Sequence, residues 1–262
     1  MGIFRQNFDR PGPGVAKDAP RKKGAARFFE ILGRDAGSLF KAGLLVGLAY
    51  IPVGIFVGFG LFSLSMPVTL LAAGVGGLLT GPLLAGLYDT VMRALRDEPG
   101  YWWHTYKRAM KANWKQAMIA GVVLNLLVGA QVFAGWAMLL GAMQESLAFL
   151  AGVGLNVMVT AMVATCLFPQ MVVMDVPMRT LFKNALFCTV GFAPRVLAAS
   201  LLQIAWWVLF LLFMPVSAIL VPFMGFWPIV LIATLIIYKP LEKALDLEAR
   251  LAARREQQAG EE

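Results

Sequence analysis

The sequence predicts an all-α protein, a polytopic membrane helix bundle with six transmembrane helices. Of its 262 residues, 59% are hydrophobic and 15% are charged, with a mean hydropathy of +0.72, so polar side chains are too few to cover a water-soluble domain. The apolar residues gather in six stretches without a charged side chain, and about 20 such residues cross a hydrocarbon core roughly 30 Å thick. Continuous rather than alternating apolar character favours helices over barrel strands.

The chain is expected to begin with a tail outside the membrane. Residues 1–26 combine proline, glycine and basic residues without apolar periodicity, which predicts a disordered basic cytoplasmic tail. The stretch FFEILGR, residues 28–34, either forms a short interfacial helix or simply leads into the first span. Residues 27–240 should then form the six-helix transmembrane domain, and residues 241–262 a charged cytoplasmic helix or tail.

The six predicted spans follow from the uncharged stretches. The division between the last two rests on Pro215, because proline removes a backbone donor and favours a break. The predicted spans are residues 42–62, 67–88, 117–141, 147–170, 196–214 and 217–238.

The basic residues predict how these spans are oriented. Lysine and arginine are retained on the cytoplasmic side of short loops, and all 23 lie before the first span, after the second, after the fourth or after the sixth. The opposite connections, SLSMP, MQES and MPVSA, carry one charge, Glu145. Both termini are therefore expected on the cytoplasmic side of a bacterial cytoplasmic membrane (N-in/C-in). The net charge of +8 would face the anionic headgroups of the inner leaflet.

A nucleic-acid partner is not expected, because the basic residues flank spans rather than forming one folded module.

A segment rich in aromatic and basic residues links the second and third spans. Helical spacing places Trp103, Tyr106, Met110, Trp114 and Ala117 on one stripe, beside a basic stripe. The pattern predicts a cytoplasmic amphipathic elbow helix that lies along the inner leaflet and then turns into the third span. The interpretations left open are a plain membrane-surface elbow and a docking surface for a partner. The basic stripe is His104, Arg108, Lys111 and Lys115, and the candidate docking residues here are Tyr101, Trp102, Trp103, Tyr106, Lys107, Lys111 and Trp114.

A second elbow is predicted between the fourth and fifth spans. DTVMR at 89–93 and DVPMR at 175–179 share a D-x-x-M-R pattern, and a short basic amphipathic stretch follows each. Phe182 and Lys183 are the docking candidates of the second copy. Either an internal duplication of the chain or a chance match of five residues accounts for the shared pattern.

Each copy of this pattern also predicts an ion pair. Asp89 with Arg93, and Asp175 with Arg179, are four residues apart in the order that favours pairing on a helix. We expect these pairs to set the angles at which the chain leaves the two spans.

Within the predicted spans, the strongest polar groups are amides. No ionisable residue reaches the middle of a span, which argues against a coupled pump or antiporter. These amide side chains are expected to form hydrogen bonds between helices. The alternative is that they line a path for a solute. They are Asn125, Gln131, Asn156 and Gln203.

The glycine-rich stretch at 72–86 predicts close helix packing. Homo-oligomerisation through it is the alternative.

Motifs of soluble-enzyme chemistry are missing from the sequence. It has one histidine and two cysteines, with no CxxC, HExxH or GxxxxGK[ST] motif. We therefore expect no enzyme activity, no cofactor and no metal. Cys166 and Cys188 are interpreted as small buried residues.

The stretch GPLLAGLYDTVMRALRDEPGYWWHTYKRAMKANWKQA, residues 81–117, resembles the signature of the YesL family of bacterial membrane proteins. The segments at 27–40 and 167–197 are similar to that family's first lead-in and second elbow, so the likeness covers most of residues 27–238. The resemblance implies a non-catalytic accessory or assembly role beside the permease or ATPase of a carbohydrate ABC transporter. A self-contained carrier or channel for a small uncharged solute is the alternative.

Overall fold

The computed structural model describes residues 22–98, 100–142 and 146–245. Within these ranges the secondary structure is helical, with no strand. The predicted N-terminal tail up to residue 21, the tail from residue 246 and the loop residues 143–145, with Glu145, lie outside the described residues.

Eight α-helices follow one another in the described ranges, and a π-helical turn, Val221–Gly225, separates the last two. They are α1 (Ala25–Phe62), α2 (Met66–Arg96), α3 (Trp102–Leu139), α4 (Leu147–Val173), α5 (Met178–Gly191), α6 (Ala193–Leu212), α7 (Val216–Leu220) and α8 (Trp227–Leu245).

The helices agree with a multi-pass membrane protein. In the described part of the chain, α1, α2, α3, α4 and α6 are each long and apolar enough to cross a membrane. A sixth candidate, residues 216–244, is bent by 50° between Gly225 and Trp227.

The bend replaces the straight last span that the sequence predicts, and prolines explain it. Pro222 and Pro228 lack the amide hydrogen that would continue the helical ladder. Indole groups satisfy carbonyl oxygens at the break, because Trp206 Nε1 donates to Gly225 O at 2.9 Å and Trp227 Nε1 donates to Phe223 O at 2.9 Å.

The helix α3 corrects the prediction of a separate first elbow. It runs unbroken from Trp102 to Leu139, so the aromatic and basic residues form its first turns. Residues 101–120 contain neither proline nor glycine, so no residue interrupts the helix. The 38 residues of α3 measure about 57 Å, which exceeds a hydrocarbon core of roughly 30 Å. The stretch 28–34 is likewise the beginning of the 38-residue α1 rather than a separate interfacial helix.

The second predicted elbow corresponds to a separate helix, α5. It begins after Pro177, ends at Gly191 and is divided from α6 by Phe192 alone. The apolar side chains of this helix turn towards the bundle, since Leu181 and Ala185 are buried and Met178 and Phe182 are half-buried.

Close packing of α2 on α3 forms the centre of the bundle. A Cβ atom added to Gly81 would lie 2.1 Å from Ala117 O, and one added to Gly77 would lie 2.4 Å from Gly121 O. The backbones therefore approach as closely as the absence of side chains permits. This confirms the packing predicted from the glycine-rich stretch and shows that Gly77 and Gly81 pack on α3 of the same chain, while Gly76 faces Val53 of α1.

Burial is concentrated at one end of the bundle. Every residue from 85 to 95 of α2 is buried except Arg93, whereas residues 147–159 of α4 and 201–212 of α6 include no buried residue. We call the end that holds residues 85–95 the packed end and the other the open end. The basic residues of α3 follow directly from the packed end of α2.

Candidate functional site

Two arginines of α1 hold the end of α2. Arg27 is only 5% exposed, and its Nη2 donates to Leu95 O at 3.0 Å and to Asp97 Oδ2 at 2.8 Å. Arg34 Nη2 donates to Ala94 O at 2.7 Å, and Arg34 also pairs with Asp97. Cations that bond the last carbonyls of a helix are favoured by its dipole. These contacts fix the beginning of α1 against the turn that leads into α3.

The charge on Asp97 depends on these arginines. Burial alone would raise the pKa of its carboxyl, but hydrogen bonds from Arg27 and Arg34 outweigh burial and hold the pKa below its ordinary value of 3.8. Asp97 therefore stays ionised beside both guanidinium groups. This contact joins residues 70 positions apart, so no local sequence pattern predicts it.

The first predicted ion pair is present in the structure. Arg93 Nε donates to Asp89 Oδ2 at 2.9 Å, and Asp89 is buried rather than exposed. Arg93 Nη1 also lies 3.6 Å from Glu98 Oε2, so the pair belongs to a larger group of charges.

The second predicted pair lacks the predicted helical geometry. Asp175 is exposed and lies in the non-helical residues 174–177, whereas Arg179 lies in the first turn of α5. The two side chains are therefore not four apart on one helix. Pro177 explains the difference, because it disfavours helical geometry in the residue before it.

Tyr106 is a core residue rather than a docking residue. It is 1% exposed, and its hydroxyl donates to Leu83 O at 3.1 Å. Its ring occupies the space above Gly86, where an added Cβ atom would lie 2.6 Å from a ring carbon. The ring of Trp102 lies 5.5 Å from that of Tyr106 and is half-buried, with Lys41 Nζ 5.6 Å from the Trp102 ring centroid. These contacts anchor the first turns of α3 to α1 and α2.

Other large rings of the same helix face outward. Tyr101 is 77% exposed, Trp103 41% and Trp114 49%. The predicted apolar stripe of α3 is therefore divided, because Tyr106, Met110 and Ala117 face the bundle while Trp103 and Trp114 do not.

Cations accompany these exposed rings. Lys107 Nζ lies 5.0 Å from the Trp103 ring centroid, and Lys115 Nζ lies 5.6 Å from that of Trp114. The helix α3 contains no acidic residue. We call this surface the aromatic-basic face, which consists of Tyr101, Trp103, Lys107, Lys111, Trp114 and Lys115.

A hydrogen bond joins α3 to the segment that precedes α5. Gln116 Nε2 donates to Val176 O at 3.0 Å. Phe182 packs half-buried against the core, and the adjacent Lys183 is exposed with its Nζ 5.8 Å from the Phe187 ring centroid. The two segments predicted as docking elbows therefore meet at this hydrogen bond, and Phe182 contributes mainly to the core.

The four predicted amides form side-chain hydrogen bonds between helices in three separate places. Asn125 of α3 accepts a hydrogen bond from Tyr50 of α1 at 3.3 Å. Gln131 of α3 donates to Asn156 of α4 and to Thr160 Oγ1, the latter at 2.9 Å. Gln203 of α6 donates to Thr165 Oγ1 of α4. Each amide therefore bonds across a helix contact, as the structural interpretation of these residues expects.

A small cleft opens between α3, α4 and α5, with a volume of about 150 Å³. Asn156 is the one of the four amides that borders it, and the other lining side chains are mostly apolar. The lining residues are Val123, Leu124, Leu127, Asn156, Val159, Thr160, Val163 and Phe182.

The two cysteines are buried, as the sequence predicts. Thr189 of α5 lies between them in the helix contact, with its Oγ1 3.9 Å from Cys166 Sγ, and Cys188 is its neighbour in the chain.

One known family matches part of the chain. Residues 54–134 match the family described as "Protein of unknown function, DUF624". No curated protein and no solved structure matches the chain. The matched residues run from the last turns of α1 through α2 and most of α3, and so include the glycine contact, Tyr106 and the aromatic-basic face. The α2–α3 hairpin at the centre of this bundle is thus the part of the chain that is similar to that family.

Proposed function

We propose that this chain is a YesL-like integral protein of the bacterial cytoplasmic membrane, and that it serves as a non-catalytic accessory or assembly partner of another membrane complex. In this proposal the packed end faces the cytoplasm, as the distribution of lysine and arginine favours. The aromatic-basic face then meets the permease or the ATPase of a carbohydrate ABC transporter. The choice of a sugar transporter rests on the resemblance to the YesL family.

The exposed rings of the aromatic-basic face carry this proposal. Trp103 and Trp114 lie outside the core, although Tyr106 shows that the same helix can bury a ring completely. Tryptophan and tyrosine are enriched at the hot spots of protein interfaces because they combine a large apolar area with a polar group. The arginine contacts between α1 and α2 and the ring of Tyr106 hold this face in place. A preorganised face loses less conformational entropy on binding.

A carrier or channel for a small uncharged solute is the alternative, and the cleft beside Asn156 is the observation that favours it. Against it stand the hydrogen bonds of Gln131 and Gln203, which use their amides to join helices at separate places. A solute would have to displace these bonds in order to reach the polar groups.

The test is affinity purification of the tagged full-length chain in a mild detergent, followed by mass spectrometry of the bound proteins. We expect permease or ATPase subunits in stoichiometric amounts. The double variant Trp103→Ala/Lys107→Gln should reduce their recovery at least tenfold while leaving the chain folded.

The matched control is Phe59→Ala, which removes an exposed ring near the C-terminal end of α1. It should leave the recovery of the subunits unchanged. Purification of the wild-type chain alone, together with solute flux in liposomes, would contradict the proposal and favour the carrier.

A further inference from the structure

The cleft between α3, α4 and α5 has the size and lining of a site for a hydrocarbon chain. An apolar cavity of about 150 Å³ holds a benzene-sized group, so this cleft accepts a short section of an acyl chain rather than a sugar. Val123 and Leu127 line one side, and Val159 and Val163 the other. Asn156 and Thr160 border the cleft, but both are hydrogen-bonded to Gln131.

Two cations lie in the chain on the side of the cleft nearer the packed end. Lys115 precedes Val123 by two helical turns on the same row of α3, and both side chains are exposed. Arg179 is exposed one turn before Phe182, which lines the cleft from α5. The 3.0 Å hydrogen bond from Gln116 to Val176 O brings these two stretches of chain together.

The spacing along α3 matches one leaflet of a bilayer. Val123 and Leu127 lie about 12 to 18 Å from Lys115 along the helix axis, at 1.5 Å per residue. The hydrocarbon of one leaflet is about 15 Å deep, half of the total core. A lipid whose phosphate binds at Lys115 would therefore place its acyl carbons at the depth of the cleft.

We propose that this cleft binds an acyl chain of an anionic phospholipid whose phosphate is held by Lys115 and Arg179. The Trp114 ring beside Lys115 supplies the amphipathic group that settles at headgroup depth. One carboxylate, Asp175, lies next to Val176 and weakens the positive potential there. This site shares Trp114 and Lys115 with the aromatic-basic face but does not depend on the docking role proposed for that face.

The test uses native mass spectrometry of the full-length protein with phosphatidylglycerol and phosphatidylcholine of identical acyl chains. We expect a clear preference for phosphatidylglycerol. The variant Lys115→Gln/Arg179→Gln should weaken its binding about 30-fold, since each basic group near a membrane surface contributes roughly a fivefold effect. Asp175→Asn should strengthen it about fivefold for the same reason.

The control for charge is Lys239→Gln/Lys243→Gln, which removes two exposed cations from α8, outside the lining of the cleft. It should leave phosphatidylglycerol binding within about twofold of wild type. An equal loss in both double variants would overturn the proposal, because it would indicate diffuse attraction to the whole basic end.

The control for the acyl chain is a pair of bulky substitutions. Val159→Phe fills the cleft and should abolish the bound lipid, whereas Val132→Phe adds the same bulk at an exposed position of α3 outside the lining and should not. Retention of the lipid by Val159→Phe would contradict the site. Equal binding of glycerol phosphate, which has no acyl chain, would also contradict it.

Discussion

The α2–α3 contact gives the most direct test of how the bundle is held together. Gly81→Ala adds one carbon atom where it would lie 2.1 Å from the backbone oxygen of Ala117, and this contact reaches the ordinary limit of 3.4 Å only if the helices separate by about 1.3 Å. The obstacle is a backbone atom, so no side chain can rotate away. Inserting a methyl group into a tightly packed contact costs about 1–3 kcal/mol.

A matched glycine separates this clash from the effect of alanine on helix propensity. Gly58 also lies inside a helix, and an added Cβ atom meets nothing within 4 Å there. Gly58→Ala should therefore be neutral or more stable by up to about 1 kcal/mol, since alanine favours the helix. Gly81→Ala receives the same propensity gain and should still be less stable than wild type.

Thermal denaturation in detergent, followed by fluorescence-detected size exclusion, measures both variants. We expect Gly81→Ala to unfold several degrees below wild type and Gly58→Ala at or above it. Equal unfolding temperatures for the two variants would refute the reasoning, because the close backbone contact would then contribute nothing to the fold.

Three further predictions concern the packed end. Arg27→Met should lower the free energy of unfolding by about 2 kcal/mol, because Leu95 O loses a buried donor. The double variant Arg27→Met/Asp97→Asn should lose less than the sum of the two single losses. Chemical denaturation of the wild type, the two single variants and the double variant tests this. The stability that Asp97 contributes should be present above pH 3.8 and be lost as the pH falls through its lowered pKa, so the advantage of wild type over Asp97→Asn should shrink on acidification and a constant difference would contradict it. Tyr106→Phe should cost about 1 kcal/mol by removing the hydrogen bond to Leu83 O, whereas Tyr101→Phe, on an exposed ring, should show no change in the same thermal assay.

The membrane-spanning segments could be predicted because the bilayer imposes a simple rule on the sequence. Helices that cross hydrocarbon must be long, apolar and continuous, and five of the six predicted stretches each correspond to one helix, although the stretches 117–141 and 196–214 extend two residues past its end. The break at residue 226 was not predicted, although Pro222, Pro228 and Gly225 all stand near it. The glycine spacing of α2 predicted that this helix packs closely against another. It did not predict that α3 is the partner, since spacing on one helix does not identify the helix that packs against it.

The prediction of two elbows shows what local patterns leave undetermined. An amphipathic pattern identifies a helix with two faces, but a bend needs a residue that interrupts the backbone, and none lies between 101 and 120. Pro177 supplies such an interruption in the second copy, and the first copy has Val91 at the equivalent position. That single difference explains why Asp89 shares a helix with Arg93 while Asp175 and Arg179 do not share one. Tyr106 is buried and Trp103 is exposed although they are three residues apart. This difference depends on how α2 packs against α3, and the sequence pattern of α3 alone does not predict that packing.

The uneven packing of the bundle follows from the solvent in which it folds. In hydrocarbon, apolar side chains gain little by leaving lipid for one another, so association depends on close backbone contact and directional bonds. At the packed end these are present, in the bonds from Arg27 to Leu95, Gln116 to Val176 and Tyr106 to Leu83. At the open end, the bonds from Gln131 to Asn156 and from Gln203 to Thr165 also join helices, but the other residues of 147–159 and 201–212 are mainly apolar and none is buried. The packed end can therefore hold a rigid surface for a partner while the open end remains in contact with lipid.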